Sequence, residues 1–278
     1  MISPEAGLFP RPCLTAALLF VWLVGMAGSP ASADAGLTVA TFNINYANRS
    51  PPRMVAALRE AAADIVFVQE TTDTTERLLA REFRGSHPHR LFLGDEGRYF
   101  AERSGVLSRY PLRNIRFVPP VDGGLFGTLL LETTIDGRTV QLANVHLTPF
   151  QVRRGGLPDV LRAMGQTEVV HAAEAARIVD SLPGDAPVLV CGDFNSLAEF
   201  QAPSRMRSAG WIDSFAAVTP AADEHPTWHW PAGGGQLRFR IDYIFHSSHF
   251  ETLSACVIPT TTSDHHLLVS RIRLRPAP

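Results

Sequence analysis

The sequence predicts a mixed α and β domain built around one core. Short apolar runs bounded by turn residues recur along the chain, and longer segments of helical spacing lie between some of them. Both hairpin and strand–helix–strand connections follow from that order, which places α and β elements around a single core without giving the sheet order. The length, 278 residues, and the 45% hydrophobic content suit one globular domain. No internal repeat, heptad array or long low-complexity stretch stands against this.

Arg11 is the only basic residue before the apolar run LTAALLFVWLVGMAG at 14–28, and an A-x-A signal follows at Ala31-Ser32-Ala33. That is the layout of a secretory signal peptide, with a run short for a membrane span. We expect residues 1–33 to be removed and 34–278 to form the exported domain, secreted or periplasmic. The alternative is an uncleaved anchor at 14–28. Cys13 would leave with the signal. Cys191 and Cys256 lie in apolar strand-like runs, which favours two free thiols over a bridge.

The domain elements follow in order. LTVATFNI (37–44) reads as a strand. PPRMVAALREAAAD (51–64) reads as a helix opened by its prolines. Residues 65–68 form a short buried strand and 74–83 a helix. Strands are expected at 104–108, 112–118, 127–135 and 139–147. Asp136-Gly137-Arg138 joins the last two as a hairpin signal. A long helix fits 160–182 and a strand fits 188–191. Strands at 236–245, 252–257 and 266–274 close the chain.

The formal net charge is −2, and all 25 basic residues are arginine. This excludes a strongly basic nucleic-acid-binding protein but leaves room for a focused basic cleft.

Polar residues recur at the strand ends. Asn43 closes TFN, Glu70 follows VFVQ, and His146 closes LANVH. Asp193 and Asn195 follow VLVC, Asp242 lies within RIDYIF, and Asp264 and His265 precede the last strand. Singly, each has a plain structural explanation. GDFN makes a turn by bonding its own backbone, and Asp242 could pair with Arg238 or Arg240. Together, buried carboxylates are costly unless paired or metal-bound, so their recurrence implies convergence on one site. Metal-assisted hydrolysis needs this set. Asn43, Glu70 and Asp264 could hold magnesium or manganese, which prefer oxygen ligands. A free carboxylate beside water is a general base, and a histidine oriented by a carboxylate stabilises developing charge. Gly192 would let the chain turn out of the strand, leaving Asp193 and Asn195 facing one side in extended geometry.

TFNIN, VFVQE, NVHLTP, CGDFNS, RIDYIF and TSDHH, in this order, resemble the signature of the endonuclease/exonuclease/phosphatase superfamily. It includes DNase-I-like nucleases, apurinic endonucleases, bacterial neutral sphingomyelinases and inositol polyphosphate phosphatases. The resemblance implies a four-layer α/β sandwich of two face-to-face, mainly antiparallel sheets flanked by helices. It also implies that Glu70 is the principal metal ligand with Asn43 beside it, and Asp264 an auxiliary one. Asp193 would activate the attacking water with Asn195 as its partner amide. His265, oriented by Asp242, would contact the scissile phosphate, and His146 would stabilise the transition state or leaving oxygen. Asn45 stands where certain nucleases place an aspartate, which lowers the charge around a metal.

The expected activity is exported, metal-dependent phosphodiester hydrolysis, with DNA the first substrate to test and a phospholipid or small phosphate ester the alternative. A non-catalytic binding scaffold is disfavoured by retention of Glu70, Asp193 and His265. Arg98 and Arg103 could reach phosphates, and Trp228 and Trp230 could form an aromatic lip or pack over a sheet edge. Phe117–Phe126 is the one loop suited to dip into a membrane. No obligate protein partner is expected, and the domain should be a monomer.

Overall fold

Alternation along the strands sets the layers. The computed structural model describes residues 36–93, 101–150, 157–232 and 235–276. The stretch read as a signal peptide and Arg98 lie outside them. In chain order, the elements are β1 (Leu37–Asn43), α1 (Pro51–Glu60), β2 (Ile65–Gln69), α2 (Asp73–Glu82), β3 (His89–Leu93) and β4 (Ser104–Ser108). Then come β5 (Arg113–Val118), β6 (Thr128–Ile135), β7 (Arg138–His146), α3 (Leu157–Ser181), β8 (Val188–Asp193), α4 (Gln201–Ser208) and β9 (Ile212–Asp213). The last are β10 (Trp228–Ala232), β11 (Gly235–Phe239), β12 (Asp242–His246), β13 (Phe250–Ile258) and β14 (Leu267–Leu274).

Two six-stranded sheets result, ordered β13-β14-β1-β2-β4-β3 and β5-β6-β7-β8-β12-β9. Each is antiparallel except for one parallel pair, β1 with β2 and β7 with β8. Each parallel pair is a strand–helix–strand unit, as parallel connection requires a crossover. Val39, Ile65 and Phe67 point inward to meet Leu142, Leu189 and Cys191 of the other sheet. Their neighbours Ala40, Val66 and Val68 point outward under α1 and α2. Val188 and Val190 face α3 and α4 on the opposite side. The four-layer sandwich implied by the motifs is therefore the observed architecture. Strands buried on both faces read as continuous apolar runs, which is why the central ones were easy to see.

Several boundaries differ from expectation. α1 ends at Glu60 rather than 64, because Ala62 takes a left-handed φ of 47° to turn the chain into β2. The single strand expected at 236–245 is two, β11 and β12. The break falls at Arg240, whose buried guanidinium pairs with Asp213 (2.7 Å) and Asp223 (2.8 Å). The hairpin signal holds: Asp136 and Gly137 both have positive φ, as a two-residue type I′ turn requires. No disulfide joins Cys191 to Cys256.

Gly192 is not where the chain leaves its strand. It lies inside β8, paired with Val145 and Tyr243. A Cβ there would sit 1.8 Å from the Val145 carbonyl oxygen, so only glycine permits this approach of β7 to β8. The strand then runs on to Asp193.

Candidate active site

The carboxyl ends of both parallel pairs lie at one end of the sandwich, the place where α/β sheets present ligands. Register sets the first contacts. His146 of β7 lies beside Asp193 of β8, and Asp193 lies opposite Asp242 of β12. Asn43 ends β1 beside Gln69, with Glu70 next in the chain. Loop 263–265 closes over them, its Ser263 hydroxyl donating to the Asn43 carbonyl at 2.8 Å.

Asp193 is the centre. It is 1% exposed and accepts hydrogen bonds at both oxygens. The Asn195 backbone N–H donates to Oδ1 at 2.8 Å, and Asn43 Nδ2 donates to Oδ2 at 3.0 Å. Oδ2 also faces His265 Nε2 at 3.5 Å and His146 Nε2 at 3.6 Å. Asn195 is left-handed (φ 46°), so it is not in the extended geometry expected of it. The turn and the site are one feature: the Asx turn aims the carboxylate, while Asn195 Nδ2 anchors to the Leu147 carbonyl at 3.0 Å.

The two imidazoles differ in charge. His265 Nδ1 donates to Asp242 Oδ2 at 2.9 Å. Burial alone would lower its pKa, but Asp242 and Asp193 outweigh that and raise it to about 10. Asp242 thus orients His265. The alternative partners, Arg238 and Arg240, do not meet it, and Arg240 is committed to Asp213 and Asp223. His146 Nδ1 donates to the Ala101 carbonyl at 3.1 Å, and its ring stacks on Phe126 at 4.2 Å. Burial, with His265 adding to it, lowers its pKa to about 3, so it is neutral. Its Nε2 lone pair faces Asp193 and, at 3.9 Å, Glu70. Three electron-rich groups converging in this way call for a proton or a cation among them. Burial also raises Asp193, against the opposing pull of His265, to about 7.

Glu70 stands one residue beyond β2 in a left-handed conformation, φ 57°. That kink, uncommon for a side-chain-bearing residue, brings its carboxylate to the site mouth. Asn43 Nδ2 (2.9 Å) and the Tyr46 N–H (3.0 Å) donate to it, and burial raises its pKa. Among the described residues no arginine pairs with it. Its hydrogen-bond partners are amides, with neutral His146 at 3.9 Å and the charges of His265 and Asp264 nearby, and a desolvated carboxylate so placed suits a hard divalent cation.

Asn43 itself departs from the expected metal ligand. Its Oδ1 accepts the Asn45 N–H at 3.0 Å, so it presents N–H donors to Glu70 and Asp193. It bridges two carboxylates rather than offering an oxygen. Asp264 lies beside Glu70 with both oxygens engaged, by Asn45 Nδ2 (2.7 Å) and Trp228 Nε1 (3.1 Å). The amide at position 45 is what allows that first bond; an aspartate there could not donate. By spacing alone Asp193, Asp242 and His265 could share an ion, their ligand atoms lying within 4.8 Å. The direct bond from His265 to Asp242 is instead the geometry of an ion pair.

The substrate-contact candidates separate. Arg103 makes a two-point contact with Glu76 (2.9 and 2.6 Å) and reaches Asp73 at 3.2 Å, so its guanidinium is largely committed. Trp228 is buried against Trp230, Phe239 and Phe150, and a backbone bridge joins it to His265. Trp230 is 51% exposed and continues the stack outward.

Sequence reading missed Asn144, which is buried and ties the sheets together. It donates to the Val68 (3.1 Å) and Gly105 (2.8 Å) carbonyls and accepts from Gln69 (2.7 Å). A polar residue two positions before His146 in an apolar strand was the available signal. Thr227 was missed too; its hydroxyl accepts the N–H groups of Ile241 and Asp242, fixing the start of β12.

Comparison with known proteins agrees with this fold. The sequence profile of the Endonuclease/Exonuclease/phosphatase family matches residues 40–265. No curated protein matches the sequence. Among solved structures, the chain is similar to an endonuclease/exonuclease/phosphatase from Beutenbergia cavernae, at 20% identity and a TM-score of 0.65, over 88% of this chain and 73% of that one. It is similar to TDP2 of D. rerio complexed with a single-strand DNA product, at 15% identity and a TM-score of 0.62, covering 86% and 99%. The human Nocturnin catalytic domain with bound sulfate gives 17% and 0.62, covering 86% and 95%.

Proposed function

Because the chain belongs to the endonuclease/exonuclease/phosphatase family of phosphate-ester hydrolases, we propose that it is an exported, magnesium-dependent phosphodiesterase whose first substrate is DNA. The observation that carries this reading is one carboxylate oxygen. Asp193 Oδ2 is held by Asn43 at 3.0 Å and lies 3.5 and 3.6 Å from imidazoles of opposite charge state.

Ionised Asp193 accepts the proton of the attacking water, with the Asn195 turn fixing its direction. The His265 imidazolium, held by Asp242, donates to a phosphoryl oxygen as charge builds there. Neutral His146 orients the attacking water by accepting a hydrogen bond from it at Nε2, its other nitrogen being fixed by Ala101. Glu70, with Asp264 beside it, is the residue that would hold the divalent ion. When bound, the ion supplies Lewis-acid polarisation of the phosphate and stabilises the leaving oxygen.

DNA is favoured over a lipid head group by two features. The exposed face of Trp230 stands at the edge of the site, where it can stack a base. Of the two aromatic ends of the candidate membrane loop, Phe126 is buried against His146, which leaves Phe117 alone, 37% exposed, to meet a membrane. The D. rerio TDP2 complex with single-strand DNA supports the same choice. The signal-like segment 14–28 and Ala31-Ser32-Ala33 support export.

The test is to supply residues 34–278 with single-stranded and plasmid DNA, sphingomyelin vesicles and inositol phosphates, in magnesium or in chelator. DNA cleavage in magnesium alone is expected. Faster sphingomyelin hydrolysis would replace DNA as the substrate, and no turnover of any ester in magnesium would overturn the reading. Mass spectrometry of the exported product should show cleavage after Ala33.

A further inference from the structure

Outside the site, one buried cluster of titratable groups has no role in the chemistry above. Glu168, His171 and Glu174 fall at intervals of three on α3, so they form a ladder along one face of the helix. His171 is fully buried, and both ring nitrogens meet acceptors. Nε2 lies 2.8 Å from the Thr148 carbonyl and Nδ1 lies 3.2 Å from Glu168 Oε1. A carbonyl only accepts, so Nε2 carries a proton. A second proton on Nδ1 then satisfies Glu168, whereas a lone pair there would oppose it. Burial alone would lower the His171 pKa; Glu168, the Thr148 carbonyl and Glu174 outweigh it and raise the value.

The ladder grips both chain segments that leave the catalytic strands. Beyond β7, Glu174 accepts the Thr148 hydroxyl at 2.6 Å, and His171 holds the Thr148 carbonyl. That hydroxyl also accepts the Leu125 N–H at 2.9 Å, and the next residue, Phe126, stacks on His146. Beyond β8, Glu168 accepts the Gln201 N–H at 2.5 Å and the Ser196 hydroxyl at 3.4 Å. Ser196 adjoins Asn195, which aims Asp193. We propose that His171, as an imidazolium bridging Glu168 and the Thr148 carbonyl, is a positioning residue that locks the His146 and Asp193 segments to each other. It touches no reacting atom and acts only through these two segments.

This rests on the proposed reaction, so the test pairs activity with a readout that needs none. Bis(4-nitrophenyl) phosphate with magnesium gives kcat and KM, and ring nitrogen spectroscopy reports His146 and His265 directly. His171→Ala is expected to lower kcat about ten- to a hundredfold with KM within about twofold, because small misplacements of reacting groups are costly. The His146 ring signals should shift while a cooperative melt persists. Glu168→Gln, which keeps an acceptor for Nδ1–H, should recover most of the kcat. Where the alanine variant lacks a cooperative melt, His171→Gln carries the same readouts. Unchanged kcat with unchanged His146 signals would overturn the proposal, as would a rise in KM alone. Absence of wild-type turnover would sink the reaction instead, and the His146 signals would still decide the role of His171.

Discussion

The two parallel units, β1–α1–β2 and β7–α3–β8, have the same topology and deliver opposite chemistry. The first ends in an amide and a carboxylate that kinks out of the strand, so Glu70 reaches the site mouth with its side chain 15% exposed. The second keeps its carboxylate inside the ladder, between His146 and Asp242, and Asp193 is 1% exposed. One residue of strand length makes the difference. A carboxylate at the mouth can meet a cation, while one inside the sheet has its proton affinity set by burial and imidazoles. The fold thus separates ion holding from proton handling by where each strand stops.

The largest expected effect breaks the second unit. Asp193→Asn should lower kcat by about 10²- to 10⁴-fold, with no recovery at high magnesium, because it removes the base. Steady-state kinetics across a magnesium series checks this. Gly192→Ala attacks the same unit through packing. Its Cβ would meet the Val145 carbonyl, so we expect about 3 kcal/mol of destabilisation in denaturant titration, consistent with backbone conflict at a buried strand. Glu70→Gln tests the first unit. It should weaken magnesium binding about ten- to a hundredfold while raised magnesium restores part of the rate, the reverse of the Asp193 result. Calorimetric metal titration distinguishes them. The smallest effect lies at the rim, where Trp230→Ala should weaken single-stranded DNA binding by about 1 kcal/mol, the low end for one lost base stack.

The central strands and the site residues were legible because burial on both faces leaves continuous apolar runs, and each run ends in a residue that burial makes expensive. What escaped was set by tertiary context. Arg240 breaks a strand pattern because its partners come from Asp213 and Asp223, some distance away in sequence. Gly192 looked like a turn because a close approach of two backbones leaves the same residue as a bend does. Asn43 lies between Glu70 and Asp193, but the direction of its amide depends on the Asn45 backbone N–H, which no spacing reveals. His171 was passed over because a histidine within a helix gives no sign of the two acceptors it meets.

The raised and lowered groups also fix how stability depends on pH in the metal-free protein. Asp193, raised from 3.8 to about 7, favours folding at low pH, and that contribution is lost as pH rises through about 7. His265, raised from 6.5 to about 10, contributes below 6.5 and loses its contribution through about 10. His146, lowered from 6.5 to about 3, contributes above 6.5 and is lost as pH falls through about 3. The most direct measurement is the ring nitrogen shifts of both histidines across this range, assigned with His146→Gln and His265→Gln. Placing Asp193 between an imidazolium and a neutral imidazole predicts that at pH 7 His265 carries protons on both nitrogens and His146 on Nδ1 alone. A neutral His265 or a cationic His146 at that pH would contradict it.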